Sequence, residues 1–391
     1  SRAFQLETNP GNARPLAQRH GQRGVYYNPP AFPLEDGAGS GGGAIAMDEL
    51  YDLPFARVPH PMYTEGIPGY ETVKHSLVLM RGCFGGCTFC SITEHEGRVI
   101  QNRSAESVLR EIRALRRQGD FRGTITDLGG PTANMYKLAC KSPEIESKCR
   151  RLSCVHPGVC ENLGTDHGPL IQLMRRVRQE DGVKHAFVAS GVRYDLAERS
   201  PEYVEELARH HVGGQLSVAP EHVSPRVLEK MKKPGIESYE RFQQMFACAS
   251  KDAGKEQYDI PYFISGHPGS TLEDMVDLAL WLKKNGRRPR QVQDFIPTPM
   301  AMATCMYHTG IDPFTKQEVY IAKAMRDRKM QRALLQFFKP ENYFEVRKAL
   351  IEAGRQDLIG GCEGLIPAQP PKEALAARRE QANEDVRGEY V

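Results

Sequence analysis

From Ser76 onward, short apolar runs rich in β-branched residues alternate with longer stretches whose apolar positions recur every three or four residues. The runs SLVLM (76–80), GTITDLG (123–129), KHAFVAS (184–190), GQLSVAPE (214–221), YDIPYFISG (258–266) and QVQDFIPTP (291–299) predict strands. Residues 104–118, 169–179, 200–211, 238–250 and 270–284 predict the intervening helices. Ser270 with Glu273 predicts a capping box for the last of these, and Ser200–Pro201 a cap followed by a first-turn proline. Such alternation predicts an α/β fold with a parallel sheet and right-handed crossovers. A doubly wound sheet and a barrel both satisfy it, and either places the chemistry at the C-terminal ends of the strands.

The flanks lack this rhythm. Residues 1–40 are rich in Pro, Gly and Arg and predict an extended strap, with NPPAFPL at 28–34. GAGSGGG (37–43) has flexible-linker composition and reads as a natural loop or, by preference, an engineered splice. Helical patterns return over 320–356, and the charged final twenty residues predict disorder. The first residue is Ser, which reads as a cut end with an upstream domain missing.

Composition narrows the class. The 391 residues are 40% hydrophobic, enough for a sizeable core. A net charge of +3 argues against a dedicated nucleic-acid binder, and KKNGRRPR (283–290) reads as a solvated loop. No apolar run approaches the roughly 20 residues that span a bilayer. Ten cysteines with no export signal predict a reducing cytoplasm, where clustered thiols bind metal or do redox chemistry.

Two groups of cysteines change the picture most. In MRGCFGGCTFCSITEHEG (80–97), Cys83, Cys87 and Cys90 follow the first predicted strand. Three thiolates leave a tetrahedral zinc site one ligand short, with His95 the bland candidate to complete it. They leave a four-iron cluster one ligand short as well. The reading favoured is that the vacancy is deliberate and one iron stays open to a chelating substrate. The second group, Cys140, Cys149, Cys154 and Cys160, lies in a segment far longer than an ordinary βα loop of about 2–6 residues. It predicts a second iron–sulfur cluster, with zinc next and inert structural thiols as the bland alternative.

Cys-x3-Cys-x2-Cys after the first strand of a repeated β/α pattern resembles the radical S-adenosylmethionine (SAM) superfamily. RGCFGGCTFCSITEHEGR, DLGGPTANMY, CRRLSC, ASGVRYD, APEH, GKEQY and PYFISGHPG resemble its YgiQ-type (UPF0313) family, from about residue 5 to about 365. The resemblance implies a partial (β/α)6 barrel over 76–305 carrying a Cys-rich insertion at 131–168. Around it would lie a strap and linker over 1–75, left from a truncated upstream domain, a helical extension over 306–370 and a disordered tail over 371–391. It also implies that the family's N-terminal region and much of its C-terminal tail are absent.

The chemistry implied is reductive cleavage of SAM at a 4Fe–4S cluster on Cys83, Cys87 and Cys90, giving methionine and a 5′-deoxyadenosyl radical that abstracts hydrogen. Gly129 and Gly130 would bind SAM's amino group, Arg193 its carboxylate as a fork, and Glu221 the ribose. The backbone of GHPG (266–269) would line the adenine. The bland readings are a β-to-α turn for the glycines, a surface ion pair for Arg193 with Asp195, and helix capping for Glu221 and His222. A rim with Arg193, Asp195, His222, Gln293 and Asp294 suits a small polar molecule or a peptide side chain, and a flavodoxin or ferredoxin would donate electrons. The rivals are an RNA-modifying relative of the methylthiotransferases, since QVQDFIPTP resembles their last barrel strand, and a non-catalytic iron–sulfur or zinc scaffold.

Overall fold

The computed structural model of the chain describes residues 16–27 and 44–388. Its strands are β1 (Leu16–His20), β2 (Arg23–Tyr27), β3 (Ser76–Val78), β4 (Met80–Arg81), β5 (Gln101–Asn102), β6 (Thr124–Ile125), β7 (Asp127–Gly129), β8 (His185–Ala186), β9 (Gln215–Glu221), β10 (Tyr258–Ser265) and β11 (Gln293–Asp294). The chain divides into two compact units. One holds everything up to Ala219 together with Glu237–Ile260, and the other holds Pro220–Ile236 and everything from Pro261 onward.

In the first unit the strands lie side by side in sequence order. β3 pairs in parallel with β7 from Ser76↔Asp127 to Val78↔Gly129, and β6 pairs in parallel with β8. A parallel bridge between Val192 and Val218 extends the series to β9. Neighbours that follow in order without reversal belong to a singly wound sheet rather than a doubly wound one. Leu77, Ile125, Leu128, Ala186, Leu216 and Val218 bury their side chains along it. The helix Ala105–Leu115 starts where the Ser104 hydroxyl accepts the Ser107 amide. It buries Val108, Leu109, Ile112 and Leu115, the stripe expected of a helix packed by one face.

In the second unit β10 pairs in parallel with β11 through Ile264↔Gln293 and Ser265↔Asp294. Phe263 packs with Met275, Leu278 and Leu282 of the helix Leu272–Lys284. Met330 and Leu334 of the helix Met325–Leu335, with Val346 and Leu350 of Tyr343–Glu352, close this core. Each fully buried Leu or Met of this kind contributes about 1.5–3 kcal/mol.

Several expectations need correction. The capping box sits one residue later, on Thr271 and Asp274, because Thr271 holds the extended cap backbone. Ser270 instead lies buried, its carbonyl accepting from Gln331. The strand expected over 184–190 is only His185–Ala186, because Asp127 Oδ1 captures the amides of Ala189 and Ser190 at 2.8 and 3.0 Å. The helix expected over 200–211 is Pro201–Glu206 followed by a π-turn, Leu207–His211. Within the strap, β1 and β2 form an antiparallel hairpin turned at Gly21, whose φ of 60° suits a residue without Cβ. The tail expected to be disordered carries the helix Lys372–Gly388, with Ala374 buried and Arg378 4.4 Å above the Phe344 ring. The segments 28–34 and 37–43 lie outside the described residues. No described helix is long and apolar enough to cross a membrane.

Candidate metal centre

The loop holding Cys83, Cys87 and Cys90 leaves β4 and is fixed by backbone bonds at both ends. Cys83 donates its amide to the Gly97 carbonyl at 2.9 Å, and Cys90 to Cys87 at 3.2 Å. The Gly82 amide meets Glu96 Oε2 at 3.0 Å, and the Thr93 hydroxyl donates to the Cys83 carbonyl at 3.1 Å. The sulfurs sense one another. Burial, then the neighbouring Cys87, raises the Cys83 thiol, and the same two causes push Cys90 up to about 12. Three soft donors held together in a partly exposed, Gly-rich loop fit the ligand set of an iron–sulfur cluster.

Arg193 reaches this loop from beyond β8. It is buried, so it is not the surface ion pair of the bland reading. Its Nε and Nη2 donate to Asp195 Oδ1 and Oδ2 at 2.9 and 2.7 Å, a bidentate pair. The fork expected to meet a SAM carboxylate is thus engaged by Asp195. Nη1 faces the loop instead, 3.9 Å from Cys87 Sγ. Burial alone would lower the guanidinium's pKa, but Asp195 overrides it and raises it well above normal, so the charge is fixed. Asn134 clamps the backbone here: its Oδ1 accepts the Arg193 amide at 2.8 Å and its Nδ2 donates to the Arg193 carbonyl at 3.0 Å.

The glycines have packing reasons of their own. A Cβ on Gly85 would stand 2.5 Å from Arg193 Nη1, which Asp195 and Asn134 hold in place. One on Gly129 would stand 2.2 Å from Ser190 Oγ, and one on Gly130 2.9 Å from the Met80 carbonyl. Close packing thus excludes a side chain at Gly129 and Gly130.

Glu221 ends β9 in the second unit. It has a φ of 69°, left-handed for a residue with a long side chain, at a cost of about 1–3 kcal/mol. Its side chain is buried, and Oε2 has no hydrogen-bond partner among the described residues. Burial raises its pKa. His222 fits its bland reading better, since its Nδ1 accepts the amides of Val223 and Ser224 at 3.0 Å just before the helix Pro225–Met231. His267 is buried with Nδ1 2.8 Å from the Pro268 carbonyl. Asp294 is taken by Ser265 and Arg332, both at 2.5 Å, whereas Gln293 is exposed.

Two residues escaped the sequence reading. Asn134 stood inside the quoted string DLGGPTANMY but carried no signal of its own. Glu94, in SITEHEG, places a buried Oε2 without a partner near Cys90, and burial pushes its pKa up to about 7.

Three of the four cysteines of the insertion also draw together. Cys149 and Cys160 both act electrostatically on the Cys154 thiol, which burial raises first. Arg98 Nη2 lies 3.8 Å from Cys154 Sγ. Cys140 bridges Leu163 in an antiparallel pair, which brings it to the strand leaving Cys160.

Residues 77–282 match the family described as the Radical SAM superfamily, and residues 1–76 match Radical SAM N-terminal. Residues 290–388 match a domain of unknown function, DUF3362. A UPF0313 protein of Pseudomonas aeruginosa is 54% identical over 98% of this chain and 51% of its own length. The UPF0313 protein YgiQ of Salmonella typhimurium is 52% identical over 98% of this chain and 53% of its own, and that of Escherichia coli 51% over 98% and 52%. The chain thus spans about half the length of the curated relatives it matches. Among solved structures, the radical SAM methyltransferase TsrM from Kitasatospora setae, with cobalamin and a 4Fe–4S cluster bound, gives a TM-score of 0.40 at 15% identity. That alignment covers 63% of this chain and 43% of the other.

Proposed function

This chain belongs to the UPF0313 family of radical SAM proteins, and from that premise we propose that it is a radical SAM enzyme acting on a small polar molecule or a peptide side chain. The observation that carries the reading is the mutual approach of Cys83, Cys87 and Cys90 under the fixed charge of Arg193. Those three thiolates would hold a 4Fe–4S cluster with one iron open to SAM. When bound, the pair supplies one-electron cleavage of the C5′–S bond and a 5′-deoxyadenosyl radical that takes a hydrogen atom from the substrate.

The protein's own residues prepare this. Arg193 offsets negative charge on the loop through Nη1, and its buried setting strengthens that interaction. Asp195 and Asn134 keep Nη1 on that line. The backbone at Gly129 and Gly130 would bind SAM's amino group, and its packing leaves room for no side chain. In the second unit, Glu221 would accept a hydrogen bond from a ligand hydroxyl, which would satisfy its orphaned oxygen. Electrons would come from a one-electron donor such as a flavodoxin or ferredoxin.

Anaerobic reconstitution tests this. The spectrum of the cluster should change when SAM is added, and the dithionite-reduced protein should release methionine and 5′-deoxyadenosine. Changing Cys83, Cys87 and Cys90 together to Ala should remove both signals. A triple variant that responds to SAM like the parent would overturn the assignment.

A further inference from the structure

The insertion that begins at Pro131 has no part in the function above, yet Cys149, Cys154 and Cys160 lie within electrostatic reach of one another and Cys140 is bridged to the segment's far end. The ends of the segment are stitched to each other. Lys141 donates its amide to the Asn162 carbonyl at 2.7 Å, and Gly164 donates to Ala139 at 2.9 Å. This short ladder sets Cys140 opposite Leu163, three residues after Cys160. Within the loop so closed, the Cys160 amide donates to the Cys154 carbonyl at 2.7 Å, and the Leu163 amide donates to Cys160 at 2.9 Å. The helix Pro143–Lys148 leads straight into Cys149, whose amide donates to Glu146 at 3.2 Å. The guanidinium of Arg98 sits against Cys154 Sγ, a cation where thiolates would gather.

The segment is also docked by its backbone. Cys154 donates its amide to the Phe84 carbonyl at 3.0 Å, inside the first cysteine loop. Gly86 of that loop, at a φ of 63°, approaches so near that a Cβ would stand 2.1 Å from the Leu152 carbonyl. The two cysteine groups therefore sit back to back on rigid contacts.

We propose that Cys140, Cys149, Cys154 and Cys160 bind a second 4Fe–4S cluster whose four irons all have protein ligands. Sulfurs about a tetrahedral zinc stand about 3.8 Å apart, given a Zn–S distance of about 2.3 Å. Among the described residues no three His, Cys, Asp or Glu side chains converge closely enough to hold one metal ion. Cluster cysteines each take a different iron and need no such convergence. Four ligands leave no open iron, so this cluster has no place for SAM.

The test is metal content with spectroscopy. Reconstituted parent protein should carry about eight irons per chain, from two clusters of four. Changing Cys149 and Cys154 to Ala should remove about four of them and keep the SAM-responsive signal. That retained signal also shows that the variant folds. The reciprocal variant, with Cys83, Cys87 and Cys90 changed to Ala, should keep about four irons with Mössbauer and EPR signals indifferent to SAM. This second arm stands even if the first loop proves to have another role. Parent protein with no more than about four irons, zinc in place of the remainder, or a reciprocal variant devoid of iron would each overturn the proposal.

Discussion

The two cysteine groups of this protein reach similar ends by opposite means. The Cys83–Cys90 loop is compact and held from outside: by Glu96, by Thr93, and by an arginine that arrives from beyond β8. The Cys140–Cys160 segment is long and closed by a ladder between its own ends, with one backbone bond docking it on the first loop. Three thiols in a loop braced by others would leave a coordination position open. Four thiols in a self-closed loop would fill it. The difference teaches that openness belongs to the bracing as much as to the ligand count. A loop that relied on its own metal for order would close around it.

The contact between the two groups offers the largest perturbation. Gly86→Ala adds a methyl where the Leu152 carbonyl leaves no room, at a φ that already disfavours it. We expect the insertion to lift from the loop and iron to fall by half or more, read as iron per chain and as faster proteolysis within 140–160. Full iron retention would mean that the groups are independent and the back-to-back arrangement immaterial.

A smaller effect should separate the groups. Asn134→Ala frees the backbone of Arg193 and leaves two buried polar groups without partners, costing about 1–3 kcal/mol each. The SAM response of the first cluster should weaken while the second cluster's iron stays level. Equal loss at both would show that Asn134 serves only general stability.

Arg193→Lys keeps the positive charge and gives up the planar pairing with Asp195. The charged hydrogen bonds to Asp195 are worth about 1.5–3 kcal/mol, so the metal-free variant should lose about that much stability. Denaturant unfolding measures it, and an unchanged midpoint would mean that the pair adds nothing to stability.

The smallest effect is one of pH. Burial raises the Glu94 carboxyl to about 7, against an ordinary value near 4.3. The folded state therefore holds this proton more tightly than the unfolded state. Its contribution is fully present below the unfolded value and is lost as pH rises through about 7. The metal-free protein should lose up to about 3 kcal/mol of stability over that window, and Glu94→Gln should flatten the slope. The first cluster's spectrum should titrate near the same pH, and the second should not. A Glu94→Gln protein with the parent's pH profile would assign the titration elsewhere.

These contrasts were unevenly legible in the chain. The helices Ala105–Leu115 and Leu272–Lys284 announce themselves by caps and apolar stripes, local features that survive folding. The starts of the strands were equally plain. Their ends were not, because Asp127 takes amides that a ladder would otherwise use, a competition no local pattern reports. The helix from Lys372 looked too polar to order, but it needs only Ala374 and Arg378 against the rest of its unit. The cysteines could be read directly because their side chains carry the chemistry. Asn134, Glu94 and the true partner of the Arg193 fork could not. Each is an ordinary residue whose role comes from what folding sets beside it.

Glu221 has a practical consequence. Strained backbone and a buried oxygen without a partner both make the ligand-free protein less stable than its fold allows. A molecule that donates a hydrogen bond to that oxygen relieves part of the deficit and raises the melting temperature by mass action. Thermal-shift screening of metabolite libraries therefore has a built-in sensor at position 221. Glu221→Gly should melt higher than the parent without ligand and ignore the compounds that stabilise the parent. Hits chosen by that difference are leads to what the site accepts.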